Sequence, residues 1–175
     1  MENYFLIGAV LVASIGAVSD VRSARIPNWL TYSSLGAALI LRLAVLGWTG
    51  FKSGGFGMLP AGGIFLVLFV MGAMGGGDMK LMASIGAWVG SEHVVTILLV
   101  AALAGGALAL VQIIFGRRGR QTLWNLLELI RFRLTSGLQP HPVLNVREPG
   151  SERVPYGLAI AMATVYCARN AIWWR

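Results

Sequence analysis

Charge is what this chain has least of. Only 12% of its 175 residues are Asp, Glu, Lys or Arg, about half the roughly 25% found in soluble domains. A soluble chain of this length and composition would expose too much apolar surface to stay dispersed. Cysteine is nearly absent. Cys167 stands alone, which excludes an intramolecular disulfide and any cysteine-based zinc site. The two histidines, His93 and His141, lack the companions and spacing of a metal site, so neither metal nor cofactor is implied. The first residues, Met1-Glu2-Asn3-Tyr4, lack the basic n-region of a cleaved signal peptide. The first apolar run is therefore expected to remain as a helix.

What is present is 57% hydrophobic residues and 23 glycines, with a mean hydropathy of +0.73. A bilayer is the solvent that suits such a chain. The expectation is an all-α polytopic membrane protein forming one domain over residues 1–175. A crossing needs about 20 apolar residues. The runs 4–19, 28–47, 57–74, 79–91, 93–115 and 154–172 supply six, with Gly90-Ser91-Glu92-His93 as the turn between the fourth and fifth. The net charge of +7 is spread between these runs, not along one face. That pattern fits anionic lipid headgroups as partner and gives no support to nucleic acid.

Charge also orients the chain. With six spans, ten basic residues fall on one side: Arg22, Arg25, Lys80, Arg117, Arg118, Arg120, Arg131, Arg133, Arg147 and Arg153. Lys52, Arg169 and Arg175 fall on the other, and Arg42 lies inside the second span. A single long helix over 79–115 would reverse this bias, so six spans with both termini outside is the expected topology. The inner loop 116–153 holds Leu123, Leu126, Leu127, Ile130 and Leu134 at helical spacing. Either an amphipathic helix on the inner interface or a helix packed against the spans accounts for it.

The chain has two aspartates, Asp20 at the end of span one and Asp78 after span three. Those spans run in the same direction, so both carboxylates reach the inner boundary. Ionisable groups at membrane depth are costly and mark functional sites. Asp78 follows Gly75-Gly76-Gly77 and precedes Met79-Lys80-Leu81. Such glycines either give the backbone access to positive φ and let it lie close beside an extended peptide, or form only a tight loop between spans or a close helix-packing patch. Asp20 opens Asp20-Val21-Arg22, which leads to Ile26-Pro27-Asn28. Pro27 suits the first turn of span two. Arg22 and Arg25 read as topology anchors, and Lys80 either tunes Asp78, meets an acidic group of substrate, or snorkels to headgroups.

The Gly75-Gly76-Gly77-Asp78 segment, together with Asp20-Val21-Arg22 and Ile26-Pro27-Asn28, resembles the type IV prepilin peptidases and the archaeal preflagellin peptidases. The presenilin-class intramembrane proteases are similar more distantly. The resemblance implies Asp20 and Asp78 as a catalytic aspartate pair that cuts prepilin leader peptides at the cytoplasmic face of the inner membrane. Gly75, Gly76, Gly77, Lys80, Arg22, Pro27 and Asn28 would be supporting or substrate-contacting residues, with pilus secretion machinery as a further partner. Larger members carry an additional domain with paired cysteines and also transfer methyl groups. The short, cysteine-free first inner loop here is similar to the minimal peptidases of Flp/Tad pili, without N-methyltransferase activity. Two aspartates near a boundary also suit a small proton- or cation-coupled transporter, and the basic inner loop suits a secretion scaffold. A further expectation concerned roles. Asp78 opens a helix and is expected to act as the ionised base, while Asp20 closes one and is expected to act as the acid.

Overall fold

A computed structural model describes residues 3–115, 124, 128, 131–132 and 155–173. The described elements are helices: α1 (Asn3–Ser23), α2 (Asn28–Val70), α3 (Gly76–Phe115) and α4 (Tyr156–Trp173). The first three are long and apolar enough to cross a membrane. Their outward faces carry large apolar side chains, among them Leu11, Ile40, Leu59 and Leu103, as lipid contact requires.

Two of these helices fold back on themselves. α2 is interrupted at Gly47, with φ 64° and ψ −155°. A Cβ placed on Gly54 would lie 3.2 Å from Leu39 Cδ2. In an unbroken helix the fifteen residues between them would span about 22 Å. The chain therefore reverses at Gly47, and residues 28–46 and 48–70 run antiparallel. α3 has the same device at Gly90, with φ 72° and ψ −174°. Tyr156 packs against Gly105 and also lies within electrostatic reach of Asp78. A straight helix would hold residues 78 and 105 about 40 Å apart, so α3 folds back as well.

Arg42 secures the second break. It is 5% exposed, and it donates from Nη2 to the Trp88 carbonyl oxygen at 2.8 Å. Its guanidinium stands 4.8 Å from the Phe5 ring centroid. A cation on the last carbonyls of a helix satisfies acceptors that the helix leaves open. Nearby, Ser34 accepts from Ser84 Oγ and Trp88 Nε1, each at 2.8 Å, tying residues 28–46 to 76–89.

Small residues set the packing distances. A Cβ on Gly16 would strike Leu81, and one on Gly8 would strike the Trp88 ring. Ala9 and Ala13 on the same helix are fully buried. Close backbone approach of this kind replaces the hydrophobic driving force that lipid does not supply.

Several boundaries differ from the sequence expectation. The turn at Gly90 lies where it was expected. Residues 48–56, read as a connection outside the membrane, are helical. The single φ > 0 glycine completes the reversal, so no loop is needed, and Trp48 stacks on Phe51 at 5.1 Å just beyond it. The run read as 57–74 ends at Val70, and the next helix starts at Gly76, not at residue 79. α1 continues past residue 19 to Ser23 and so includes Asp20. The inner-loop helix proposed from Leu123 to Leu134 and the rest of 116–153 fall almost wholly outside the described residues.

Candidate active site

Asp20 sits in the last turn of α1. Ala24, in the left-handed region at φ 50°, ends this helix by donating to the Asp20 carbonyl oxygen at 2.8 Å. Ser19 Oγ holds the Arg25 carbonyl oxygen at 2.8 Å. The turn then leads to Pro27, which occupies the N-cap of α2 in an extended conformation, one position before the first turn expected for it. Local side-chain bonding thus fixes the path of the chain immediately after Asp20.

Asp78 lies in the first turn of α3, where the helix dipole favours a carboxylate. The connection before it turns at Met71–Gly72, with Gly72 at φ 73° and its N–H donating to the Phe69 carbonyl oxygen at 3.0 Å. Among described residues the positive-φ glycines are Gly47, Gly72 and Gly90, so the three glycines before Asp78 do not use that freedom. They serve close approach on three different sides. A Cβ on Gly75 would lie 3.2 Å from Asp78 Oδ2, one on Gly76 3.2 Å from Phe69 Cε2, and one on Gly77 3.1 Å from Ile26 Cβ. Gly76 and Gly77 belong to the first turn of α3 and are not part of a bare strand-like loop.

Helix registers bring the two aspartates to one level. Gly16 faces Leu81 and Gly8 faces Trp88, so α1 and the first arm of α3 are antiparallel. Continuing that register sets Asp20 opposite Gly77. The start of α4 then meets both acids. Gly157 N–H donates to Asp20 Oδ2 at 2.9 Å. Tyr156, one residue earlier, lies near Asp78 and packs edge-on against Phe65 at 6.1 Å. Asp78 Oδ1 is buried.

The expected supporting residues divide into two groups. Lys80 and Asn28 meet: Lys80 Nζ donates to Asn28 Oδ1 at 2.9 Å and stands 4.9 Å from the Tyr32 ring centroid. These contacts tie Lys80 to α2. Arg22 and Arg25 are exposed. Tyr156 and Gly157 were not legible as site residues. They arrive from 137 positions away, and no spacing in the sequence reports that contact. Asp20 closes α1 as expected, and Gly157 N–H also sets it at the N-terminal turn of α4, so helix ends of both signs act on it.

A family model described as the type IV leader peptidase family matches residues 5–110, and the chain belongs to that family. Two curated relatives, both named prepilin leader peptidase/N-methyltransferase, come from Burkholderia pseudomallei strains 1026b and K96243. Each is 34% identical over 119 residues, covering 61% of this chain and 37% of the relative. The chain thus matches little more than a third of those proteins' length. No solved structure matches it. Family and apolar helices together make the chain an integral membrane peptidase homologue.

Proposed function

We propose that this protein is a membrane aspartic endopeptidase that removes the leader peptide of a type IV, Flp-like prepilin. Cleavage occurs at the cytoplasmic face of the inner membrane, with Asp20 and Asp78 as the catalytic pair. The observation that carries this reading is that one dipeptide, Tyr156-Gly157, hydrogen-bonds Asp20 and lies within electrostatic range of Asp78, the chain's only other aspartate. Family membership and the relatives' names support the substrate class. Folding α2 and α3 back at Gly47 and Gly90 supports six crossings with both termini outside, and the basic residues beside Asp20 and Asp78 support a cytoplasmic site. We assign peptidase activity alone, because methyl transfer accompanies paired cysteines in the larger members and this chain has one cysteine.

Two neighbouring carboxylates share one proton, since both cannot ionise cheaply at short range. The ionised member takes a proton from water as its oxygen attacks the scissile carbonyl carbon. The protonated member gives its proton to the carbonyl oxygen. Collapse of the tetrahedral species returns a proton to the leaving amine and regenerates the pair. The pair titrates as a unit. Gly75–Gly77 keep the surroundings of Asp78 narrow, and Lys80 with Asn28 braces α3 against α2.

The test is cleavage of a co-expressed prepilin, read as a mobility shift, by wild type, Asp20→Asn and Asp78→Asn. Asparagine keeps the shape and removes the proton chemistry. Each variant should insert normally and lose at least about 100-fold in cleavage rate. Cleavage by either variant at the wild-type rate would refute the assignment, and altered ion flux in place of lost cleavage would favour a transporter.

A further inference from the structure

We infer that Gly157 is a positioning residue that holds Asp20 for the reaction, so that the site is complete only when the start of α4 is docked against α1. The inference rests on the aspartic-peptidase reading above and adds a residue to it. Its first support is the hydrogen bond from Gly157 N–H to Asp20 Oδ2, 2.9 Å long. With Oδ2 held, the carboxylate cannot rotate about its Cβ–Cγ bond without losing that contact. The second support is space. A Cβ on Gly157 would stand 2.9 Å from Asp20 Cβ and 3.0 Å from its Oδ2, a distance at which the aspartate must move. Gly157 is buried, so the donor reaches Asp20 from inside the helix packing. The third is the neighbour. Tyr156 is wedged between Phe65 and Gly105 beside Asp78, so the same helical turn registers Asp20 against the element that carries Asp78. Any other side chain at position 157 displaces the acid, while Gly106, where an added Cβ meets nothing within 4 Å, is replaceable.

The experiment uses the full-length protein in membranes, with Gly157→Ala, Gly157→Pro and, as control, Gly106→Ala, where an added Cβ meets nothing within 4 Å. Alanine keeps the N–H and adds the clash. Proline removes the N–H at a first-turn position that tolerates it. Misplacing a catalytic group by about 1 Å costs up to roughly 100-fold. Both Gly157 variants should therefore lose about 10- to 100-fold in kcat with KM within about twofold, while Gly106→Ala cleaves like wild type. A purely structural role would instead reduce the amount of inserted enzyme and leave kcat per inserted molecule unchanged. An independent measurement uses Asp20→Cys with Gly157→Cys in a Cys167→Ser background. After protease cleavage within 117–153, the two halves should stay joined only under non-reducing conditions, because the Cβ atoms stand 2.9 Å apart and need open by less than about 1 Å to reach the spacing of a disulfide. Wild-type kcat in either inserted Gly157 variant, or failure of the cysteines to bridge, overturns the inference. If Asp20→Asn and Asp78→Asn are inert while Gly157→Ala cleaves normally, the peptidase reading stands and this inference alone falls.

Discussion

Alanine at Gly57 tests whether backbone contact, and not side-chain packing, holds the two long helices together. Gly57 lies on the second arm of α2. A Cβ there would meet the Gly86 carbonyl oxygen and stand 2.7 Å from the Gly90 carbonyl carbon and 2.8 Å from its oxygen. These are backbone atoms, which cannot swing aside as a flexible side chain can. Restoring ordinary contact at 3.4 Å means opening the interface by at least about 0.7 Å, enough to forfeit a quarter or more of each local dispersion contact. Overpacking of this kind costs about 1–3 kcal/mol, and the helix gains back about 0.5–1 kcal/mol because alanine is the better helix former. The net expectation is a loss of about 1.2 kcal/mol, roughly an eightfold fall in the folded-to-unfolded ratio. Reversible unfolding in mixed detergent micelles would measure it. Gly55→Ala and Gly63→Ala are the controls: they sit on the same helix and an added Cβ meets nothing within 4 Å. Both should be neutral or stabilising by about 0.5 kcal/mol. If Gly57→Ala unfolds with its controls, the backbone-contact account is wrong.

Two further substitutions probe the unusual backbone positions. Gly47→Ala and Gly90→Ala both force a side chain into positive φ, which costs about 1–2 kcal/mol. Gly90→Ala should cost clearly more in the same unfolding assay, because its Cβ also meets Ser53 Oγ and Arg42 Nη2, whereas that of Gly47 meets nothing within 4 Å. Equal losses would show that the Arg42 contact is dispensable. Ala24→Gly carries the opposite sign. Ala24 occupies the left-handed region at φ 50°, and glycine there should raise stability by about 0.5–1 kcal/mol with cleavage unchanged; a fall in melting temperature would contradict the α1 C-terminal turn described above.

Much of the architecture was legible because apolar run length and basic-residue bias are one-dimensional quantities. Helical character, the break at Gly90 and the pairing of Asp20 and Asp78 as the residues of interest could all be read from them. The hidden parts depend on three dimensions. Residues 48–56 were read as a loop because a reversal was assumed to need one, but a single glycine at φ 64° suffices. The glycines before Asp78 left backbone freedom and close packing both open in the sequence, and their contacts with Asp78, Phe69 and Ile26 favour packing. Gly157 was invisible as a site residue, since its role comes from a partner at the other end of the chain.

Arg42 also bears on how the protein is made. Its carbonyl partner at Trp88 lies 46 residues later in the chain, so helix 28–46 emerges from the ribosome before the group that receives its charge exists. A guanidinium in hydrocarbon is costly until it is satisfied. Residues 28–89 are therefore expected to settle in lipid as a set, since Ser53 and Trp88 both receive the guanidinium and both follow it in the chain.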